Sequence, residues 1–304
     1  MDITTIITYL KGFIPTLITF FMIISPAFGG SGATYEAKNP EDLVTSFAVV
    51  SDIHVETNRP EAYENYKNLL EGIKGGKDID AAIYTGDNVM NGQTLESILF
   101  YGALRAIKPA KNNFVVAGNH DLGNGEGDLP ELLKNYIYNN EFYLDSDVGE
   151  GYYYNVAEGC YVICLISEDP TSEDFQMSKK QYDWLEGVLK EAAAADAPIF
   201  VFNHFPLRYL DGNTEVTGVE LANLLTAYGT DLYVHGHIHD YLDVNNFYTW
   251  YGVKSVNLPR STELTEYEAG DGIVIEVYEN EFVVRGRDFI AGEWIDGLDY
   301  TYAF

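Results

Sequence analysis

Short β-branched apolar runs recur along the chain, each ending in a polar cluster, and stretches of helical spacing lie between them. Few architectures accommodate that order. The runs are SFAVVSD (46–52), DAAIYTGD (80–87), NFVVAGN (113–119), APIFVFNH (197–204) and TDLYVHGH (230–237). Helical spacing covers about 60–74, 93–107, 128–139, 178–195 and 217–228. Strands alternating with helices call for helices layered against a largely buried sheet. Runs without polar interruption are strands covered on both faces. Beyond Ser255 the pattern changes to hairpins, DGIVIEVYEN and EFVVRGRDF, with Glu279 and Asn280 near the turn. No internal repeat or second-domain linker is visible. The expected class is therefore α/β, with one domain over 45–290, a linker over 31–44 and a tail over 291–304 packed on or near the domain.

The first 30 residues differ from the rest. Phe13 to Ser25 reads FIPTLITFFMIIS, follows Lys11, and runs into the small-residue stretch SPAFGGSGA. A short apolar block ending at small residues suits a secretory signal peptide, with cleavage between Gly29 and Ala33. A retained N-terminal anchor stays open, because the 17 residues from Gly12 to Phe28 sit at the lower limit for a membrane span. Either reading sends the protein out of the cytoplasm, to a secreted, periplasmic or cell-surface location. The formal charge of −29, from 18 Lys and Arg against 47 Asp and Glu, argues against nucleic acid as a partner, since a polyanion is bound by displacing its counterions with cations. It argues equally against docking on anionic lipid. The expected partner is a small molecule, with membrane contact only through a retained anchor.

Two residue types remain for chemistry. Cys160 and Cys164 lie in CYVICLIS, which reads as a buried strand. Four positions of extended chain separate them by roughly 13 Å, beyond disulfide reach, so they read as buried thiols. The six histidines carry more. His54, His120, His204, His235, His237 and His239 all lie at or just after the C-terminal ends of the five runs. The carboxyl ends of strands in an α/β sheet form its ligand crevice, so these side chains converge on one rim. Asp52, Asp87, Asn119 and Asp121 stand at the same rim. Imidazole, carboxylate and amide oxygen together make a nitrogen and oxygen donor set suited to Zn, Mn or Fe.

The order of these blocks is informative beyond their chemistry. Asp52-Ile53-His54, Gly86-Asp87, Gly118-Asn119-His120-Asp121, Asn203-His204 and Gly236-His237-Ile238-His239 together resemble the calcineurin-like metallophosphoesterases, over residues 46 to 239. That resemblance implies a four-layer α/β/β/α sandwich of mixed sheets with C-terminal β-hairpins, and a pair of divalent ions (Mn, Zn or Fe). One ion would be held by Asp52, His54, Asp87 and His239. The other would be held by Asp87, Asn119, His204 and His237, with Asp87 the bridge. A hydroxide shared by the ions would attack the phosphoester in line, while the ions neutralise the phosphoryl oxygens. His120, with Asn119, would face the phosphoryl group and either stabilise charge or protonate the leaving oxygen. Asp121 is open between orienting His120 and capping its loop. His235 and Asn203 fall outside the ligand set and read as supporting residues.

Departures narrow the branch. Purple acid phosphatases resemble D-x-G with GD-x-x-Y, the tyrosine binding ferric iron. Here His54 is present and Met90 stands at the tyrosine position. Phosphoprotein phosphatases resemble GD-x-x-DRG and GNHE, whereas this chain has GDNVMNG and GNHD. What remains looks like the bacterial-type branch of exported members that includes cyclic-nucleotide phosphodiesterases and phosphomonoesterases.

The substrate has to be read from the surroundings. Tyr136, Tyr138, Tyr143 and Tyr152 to Tyr154 offer a face for a nucleobase or pack a helix and a hairpin, and packing carries more weight. Arg59 and Arg208 follow ligand blocks and could clamp a second anion, although surface placement competes; Arg208 is the stronger candidate. Three functions follow: a di-metal hydrolase of a small phosphomonoester or phosphodiester, an exported metal-binding or surface protein of the same fold with little activity, and, disfavoured by the charge, a nuclease.

Overall fold

Three parallel strands open the domain in the computed structural model: β1 (Thr45–Val50), β2 (Ala81–Thr85) and β3 (Asn112–Val116). Residues 35–76, 78–169, 175–210, 214–262 and 269–304 are described, and the segment read as signal or anchor lies outside them. None of the described helices is long and apolar enough to cross a membrane. Helices α1 (Pro60–Lys74) and α2 (Thr94–Ile107) make the two crossovers. On the other side of β1 the sheet continues antiparallel through β10 (Asp271–Val277), β11 (Glu281–Asp288) and β12 (Glu293–Ala303).

The second sheet takes β4 (Tyr153–Ala157), β5 (Cys160–Cys164), β6 (Ile199–Phe202), β7 (Leu232–His235), β8 (Phe247–Trp250) and β9 (Val253–Asn257) in the order β4-β5-β6-β7-β9-β8. Its four central strands are parallel and its two edges antiparallel. Side-chain alternation sorts its two faces. Val162, Phe200, Phe202 and Val234 join the core shared with the first sheet. Tyr161, Ile163, Val201 and Tyr233 pack instead with α4 (Lys179–Ala194) and α5 (Gly218–Ala227). Phe200 marks the seam, edge-on to Phe47 at 5.8 Å and to Phe282 at 5.5 Å. On the outer face of the first sheet, Tyr84 meets Phe100 of α2, which stacks on Tyr66 of α1. The four layers are thus helix, sheet, sheet, helix.

Local chemistry sets the helix starts. Pro60 opens α1, where its missing N–H costs nothing. Ser178 caps α4 through Gln181 N, and Thr217 with Glu220 forms a capping box on α5. Helix α3 (Leu129–Leu144) runs past the expected end at 139. Asn140 does not break it, because its amide donates within the helix to Tyr136 O and across to Tyr101 Oη, both at 3.0 Å.

Two outlying segments are packed into the structure. Residues 293–303 of the expected tail are an edge strand, paired to β11 from Glu281↔Ala303 to Asp288↔Glu293. The described part of the expected linker is docked: Tyr35 and Ala37 are buried, and Tyr35 Oη and Lys38 N donate to the buried carboxylate of Glu276. The hairpin β8–β9 escapes a sequence reading because β8 is only four residues long and half-exposed. Both cysteines are free and buried, and burial pushes each thiol up to about 12, which leaves them inert as nucleophiles.

Candidate metal centre

Each ligand-type residue sits just past a strand end, where the chain must turn sharply to aim a side chain back over the rim. Five of them do so with positive φ: Asp52 (53°), His54 (47°), Asp87 (50°), His237 (76°) and His239 (58°). Asp, Asn and His tolerate this region better than other residues with a Cβ. Such strain collects where surrounding structure holds it for a purpose. The loops also approach one another closely. A Cβ on Gly118 would strike the carboxylate and amide of Asp87, and one on Gly236 would strike Ser51 and Asp52. The glycines before Asn119 and His237 therefore let strand ends from both sheets meet.

The resulting cluster has two halves that share one residue. Donor atoms of Asp52, His54, Asp87 and His239 lie within 4.8 Å of one another, as do those of Asp87, His204 and His237. Asp87 Oδ2 stands 3.6 Å from His54 Nε2 and 3.1 Å from His204 Nε2, so one oxygen faces both halves. Its partner Oδ1 accepts the backbone amide of His120 at 2.9 Å. Asp52 Oδ1 lies 2.9 Å from His239 Nε2, and Oδ2 accepts from His237 N at 3.1 Å.

The donor set fits a pair of cations. Imidazole nitrogens face each other at 3.2 Å twice, His54 Nε2 with His239 Nε2 and His204 Nε2 with His237 Nδ1. Asn119 donates Nδ2 to Asn124 Oδ1 at 2.9 Å, which leaves its buried Oδ1 without a partner. His204 Nδ1 donates to Thr85 O at 3.0 Å, which fixes the tautomer and frees Nε2 as a lone-pair donor. An unpaired amide oxygen beside imidazole nitrogens that face each other is an arrangement a cation satisfies.

Charge inside the cluster is strongly coupled. Burial raises the Asp87 carboxyl, but the charge and hydrogen bond of His204 and the charge of His54 together bring it down to about 2. Burial would lower His204, yet Asp87 and Asp52 raise it to about 9. His237 goes down to about 4, through burial and then His204. His54 is also lowered by burial, and Arg260 adds to that, as its charge opposes protonation of both His54 and His239. Arg260 is a residue the sequence reading missed; it follows β9 and no motif marks it.

Other candidates find their places. His120 donates Nδ1–H to Met90 O at 2.6 Å, leaving Nε2 for a substrate atom. The side chain of Met90 has no part in this; its carbonyl does the orienting. The contacts of Asp121 are those of a loop cap. Its carboxylate accepts Asn88 N (3.1 and 3.2 Å), Val89 N (3.1 Å) and Gly118 N (2.8 Å), pinning the Asp87 loop to the Asn119 loop. Desolvation and then Asp87 push that carboxyl up to about 7 despite these donors. Asn203 Oδ1 accepts His204 N at 2.7 Å, a supporting contact. His235 stands behind the Gly236 loop, with Nδ1 on Gly236 O at 2.9 Å and Nε2 on Tyr248 Oη at 2.6 Å.

Arg208 lies on the short turn Leu207–Tyr209, exposed, and lines a cleft with Ile238, between two ligand histidines. Arg59 is the residue before α1. The tyrosines offered as a nucleobase face are used in packing. Tyr136 and Tyr153 hydrogen-bond Val115 O, Tyr143 stacks on Tyr101, Tyr138 on Phe142 and Tyr154 on Tyr161, and Tyr152 lies against Trp184.

Comparisons with known proteins agree with this geometry. A family model described as calcineurin-like phosphoesterase matches residues 45–241. Purple acid phosphatase 4 of Arabidopsis thaliana is 26% identical over 247 residues, covering 74% of this chain and 71% of that protein. A dimetal phosphatase from Danio rerio superposes with a TM-score of 0.61 at 16% identity, over 86% of this chain and 100% of the other. Purple acid phosphatase PPD1 from yellow lupin gives 0.60 at 15% identity, over 85% of this chain and 53% of the lupin chain. At such identities the structural likeness speaks to fold. These relatives are phosphatases, and the likeness to purple acid phosphatases comes with His54 and Met90 at two motif positions.

Proposed function

The chain belongs to the calcineurin-like phosphoesterase family and is a metal-dependent phosphoester hydrolase; on that premise we propose that it cleaves a small phosphomonoester outside the cytoplasm. The observation that carries the reaction is Asp87 Oδ2, one carboxylate oxygen facing both halves of the donor cluster. Asp52, His54, Asp87 and His239 would hold one ion, and Asp87, Asn119, His204 and His237 the other. Two divalent ions held there would supply positive charge against the phosphoryl oxygens and acidify a bound water.

The chain's own groups complete the step. His120 keeps Nδ1–H on Met90 O, so as an imidazolium it can pass the Nε2 proton to the departing alkoxide and return to neutral imidazole. Asp87 Oδ1 accepts the His120 backbone amide while Oδ2 faces both halves of the donor cluster, which would couple the proton donor to a bridging carboxylate. Monoester specificity rests on the phosphatase relative, and export rests on the apolar block Phe13 to Ser25.

The test is metal content and turnover together. Protein stripped by chelation and reloaded with Mn, Zn or Fe is assayed on nitrophenyl phosphate and its bis-ester, beside Asp87→Asn and His120→Ala. Two ions per chain, faster monoester cleavage, loss of metal and activity in Asp87→Asn, and loss of turnover with metal retained in His120→Ala are expected. Full hydrolysis by Asp87→Asn would sink the mechanism. No turnover with any of the three metals would leave a metal-binding protein. Faster cleavage of the bis-ester would overturn the monoester assignment, and cell fractionation that finds the protein in the cytoplasm would overturn export.

A further inference from the structure

Past β9 the chain crosses from the second sheet to the first beside the metal loops. Leu258 N donates to His235 O at 2.7 Å, just ahead of the Gly236–His239 loop. Ser261 N then donates to Ser51 O at 3.1 Å, and Ser51 N to Ser261 Oγ at 3.2 Å. Thr262 Oγ1 donates to Ile53 O at 2.6 Å, between Asp52 and His54. Ser261 is also tied to Gly270 N and Asp271 O. Leu258, Pro259, Ser261 and Thr262 are buried, and Arg260 is the one partly exposed residue of this strap. We infer that Arg260 is a substrate-binding residue, whose guanidinium takes a phosphoryl oxygen at the half of the centre built by Asp52, His54 and His239. The inference deepens the hydrolase reading above and rests on it.

Hydrogen bonds on both sides fix the backbone from which the Arg260 side chain starts. Its charge reaches the centre, where it opposes protonation of both His54 and His239. Arg208, by contrast, acts on His235 and Tyr248, neither of which is a candidate ligand. The half that Arg260 reaches is also where the cluster opens. The side chain of His239 is 37% exposed, whereas those of Asp52, His54 and His204 are at most 1% exposed. The ring of His54 adjoins that of His120 at 4.8 Å between centroids and that of His239 at 5.0 Å. An anion bound against His54 is therefore close to the proton donor as well.

A fixed positive charge at this place opposes an incoming metal ion as it opposes a proton. The buried carboxylates do not call for it as a counter-ion. Asp52 has His239 Nε2 at Oδ1 and His237 N at Oδ2, and Asp87 has His120 N at Oδ1 and His204 Nε2 at Oδ2. An anion set between Arg260 and the ions removes the conflict, because it attracts both. Phosphate suits a guanidinium, whose fork of N–H donors matches two oxygens. A neutral ligand would leave the repulsion standing.

Calorimetry on the purified protein reads metal and anion binding separately. Metal-free protein is titrated with Mn(II), and Mn(II)-loaded protein with inorganic phosphate. Arg260→Gln should bind Mn(II) severalfold more tightly, since a repulsive charge is gone, and phosphate about tenfold more weakly. Its kcat/KM on nitrophenyl phosphate should fall with the phosphate affinity. Arg260→Lys keeps the charge but not the fork, so it should keep the wild-type Mn(II) affinity and lose part of the phosphate affinity. That variant also keeps the test alive should the first not fold. Thr262→Val loosens the strap and sets the comparison, with weaker Mn(II) binding and a lower Tm. The same two losses in Arg260→Gln would make Arg260 a structural residue and overturn the inference. So would a phosphate affinity unchanged in Arg260→Gln, or fully kept in Arg260→Lys. Absence of metal-dependent turnover of nitrophenyl phosphate by the wild type, with phosphate binding intact, would instead overturn the hydrolase reading.

Discussion

The hydroxyl of Tyr248 donates to His235 Nε2 at 2.6 Å, and the opposite ring nitrogen of His235 donates to the carbonyl of Gly236 at 2.9 Å. Because a carbonyl only accepts, Nδ1 carries the proton and Nε2 must accept. Burial holds His235 down to about 3 and Tyr248 up to about 12, so both stay neutral. The hairpin strand β8 is thereby tied, through one buried imidazole, to the loop that carries His237 and His239. Tyr248→Phe leaves Nε2 unpaired and is expected to cost about 1–2 kcal/mol, a fall in Tm of about 2–4 °C per kcal/mol for a domain near this size. Metal affinity should weaken by about tenfold, as for other residues that orient a ligand. An unchanged Tm and metal affinity in thermal and equilibrium titrations would show that the relay carries nothing.

Asp121 gives a second prediction, because its carboxylate holds three backbone amides from two ligand loops. Asp121→Ala strands those donors and should destabilise the protein by about 2–3 kcal/mol. Asp121→Asn keeps one acceptor oxygen and should cost less. A capping residue lowers activity by loosening the loops, so excess metal should restore much of kcat on nitrophenyl phosphate. Loss of kcat at saturating metal with an unchanged Tm would assign Asp121 to the chemistry instead.

Metal uptake should depend on pH in a direction set by His204. Without metal, Asp87 and Asp52 outweigh burial and raise this imidazole to about 9, so it is protonated at neutral pH. An ion takes only the unprotonated Nε2, and loading therefore releases that proton. His54 and His237 are lowered and do not add to the release near pH 7. His239 is raised, which works in the same direction. Affinity should fall by about tenfold for each pH unit below 9. Calorimetry at pH 7 in buffers of differing ionisation heat should count about one proton released per chain loaded. Affinity that does not change between pH 6.5 and 8 would contradict the charge balance described for Asp87 and His204.

The donor cluster was legible because each member is of a residue type that binds metals, placed at a strand end. The buried strands were legible for the same reason that they are buried, as continuous apolar runs. Strands β8 and β12 are half-exposed edges, and their period is diluted by solvent-facing residues. The contacts that orient the ligands were out of reach for another reason. Thr85, Met90 and Gly236 act through backbone carbonyls, which any residue supplies. Tyr248 and Arg260 act on the site from a part of the chain where no motif names them. Asp121 was legible as a member of the rim, while its role needed the direction of its carboxylate.

Ionic strength offers the last test, because it separates the field of the whole molecule from that of the centre. The chain carries −29, whereas two divalent ions would add positive charge at one rim only. The cations do not gather there. Lys74, Arg105, Lys108 and Lys111 line a separate cavity of about 970 Å³ at the amino ends of β2 and β3, away from the metal ligands. Arg208 lies beside the ligand loop, and Arg260 is near enough to act on His54 and His239. Attraction for a phosphate is then short-ranged, and the surrounding field repels anions at longer range. Added salt shortens that range from roughly 30 Å at 0.01 M to roughly 8 Å at 0.15 M. For a substrate carrying several negative charges, kcat/KM should therefore rise with salt, while a singly charged diester should barely respond. The measurement is kcat/KM for both substrates across that range at fixed metal and pH. A marked fall for the highly charged ester would mean that positive groups outside the metal centre dominate its approach.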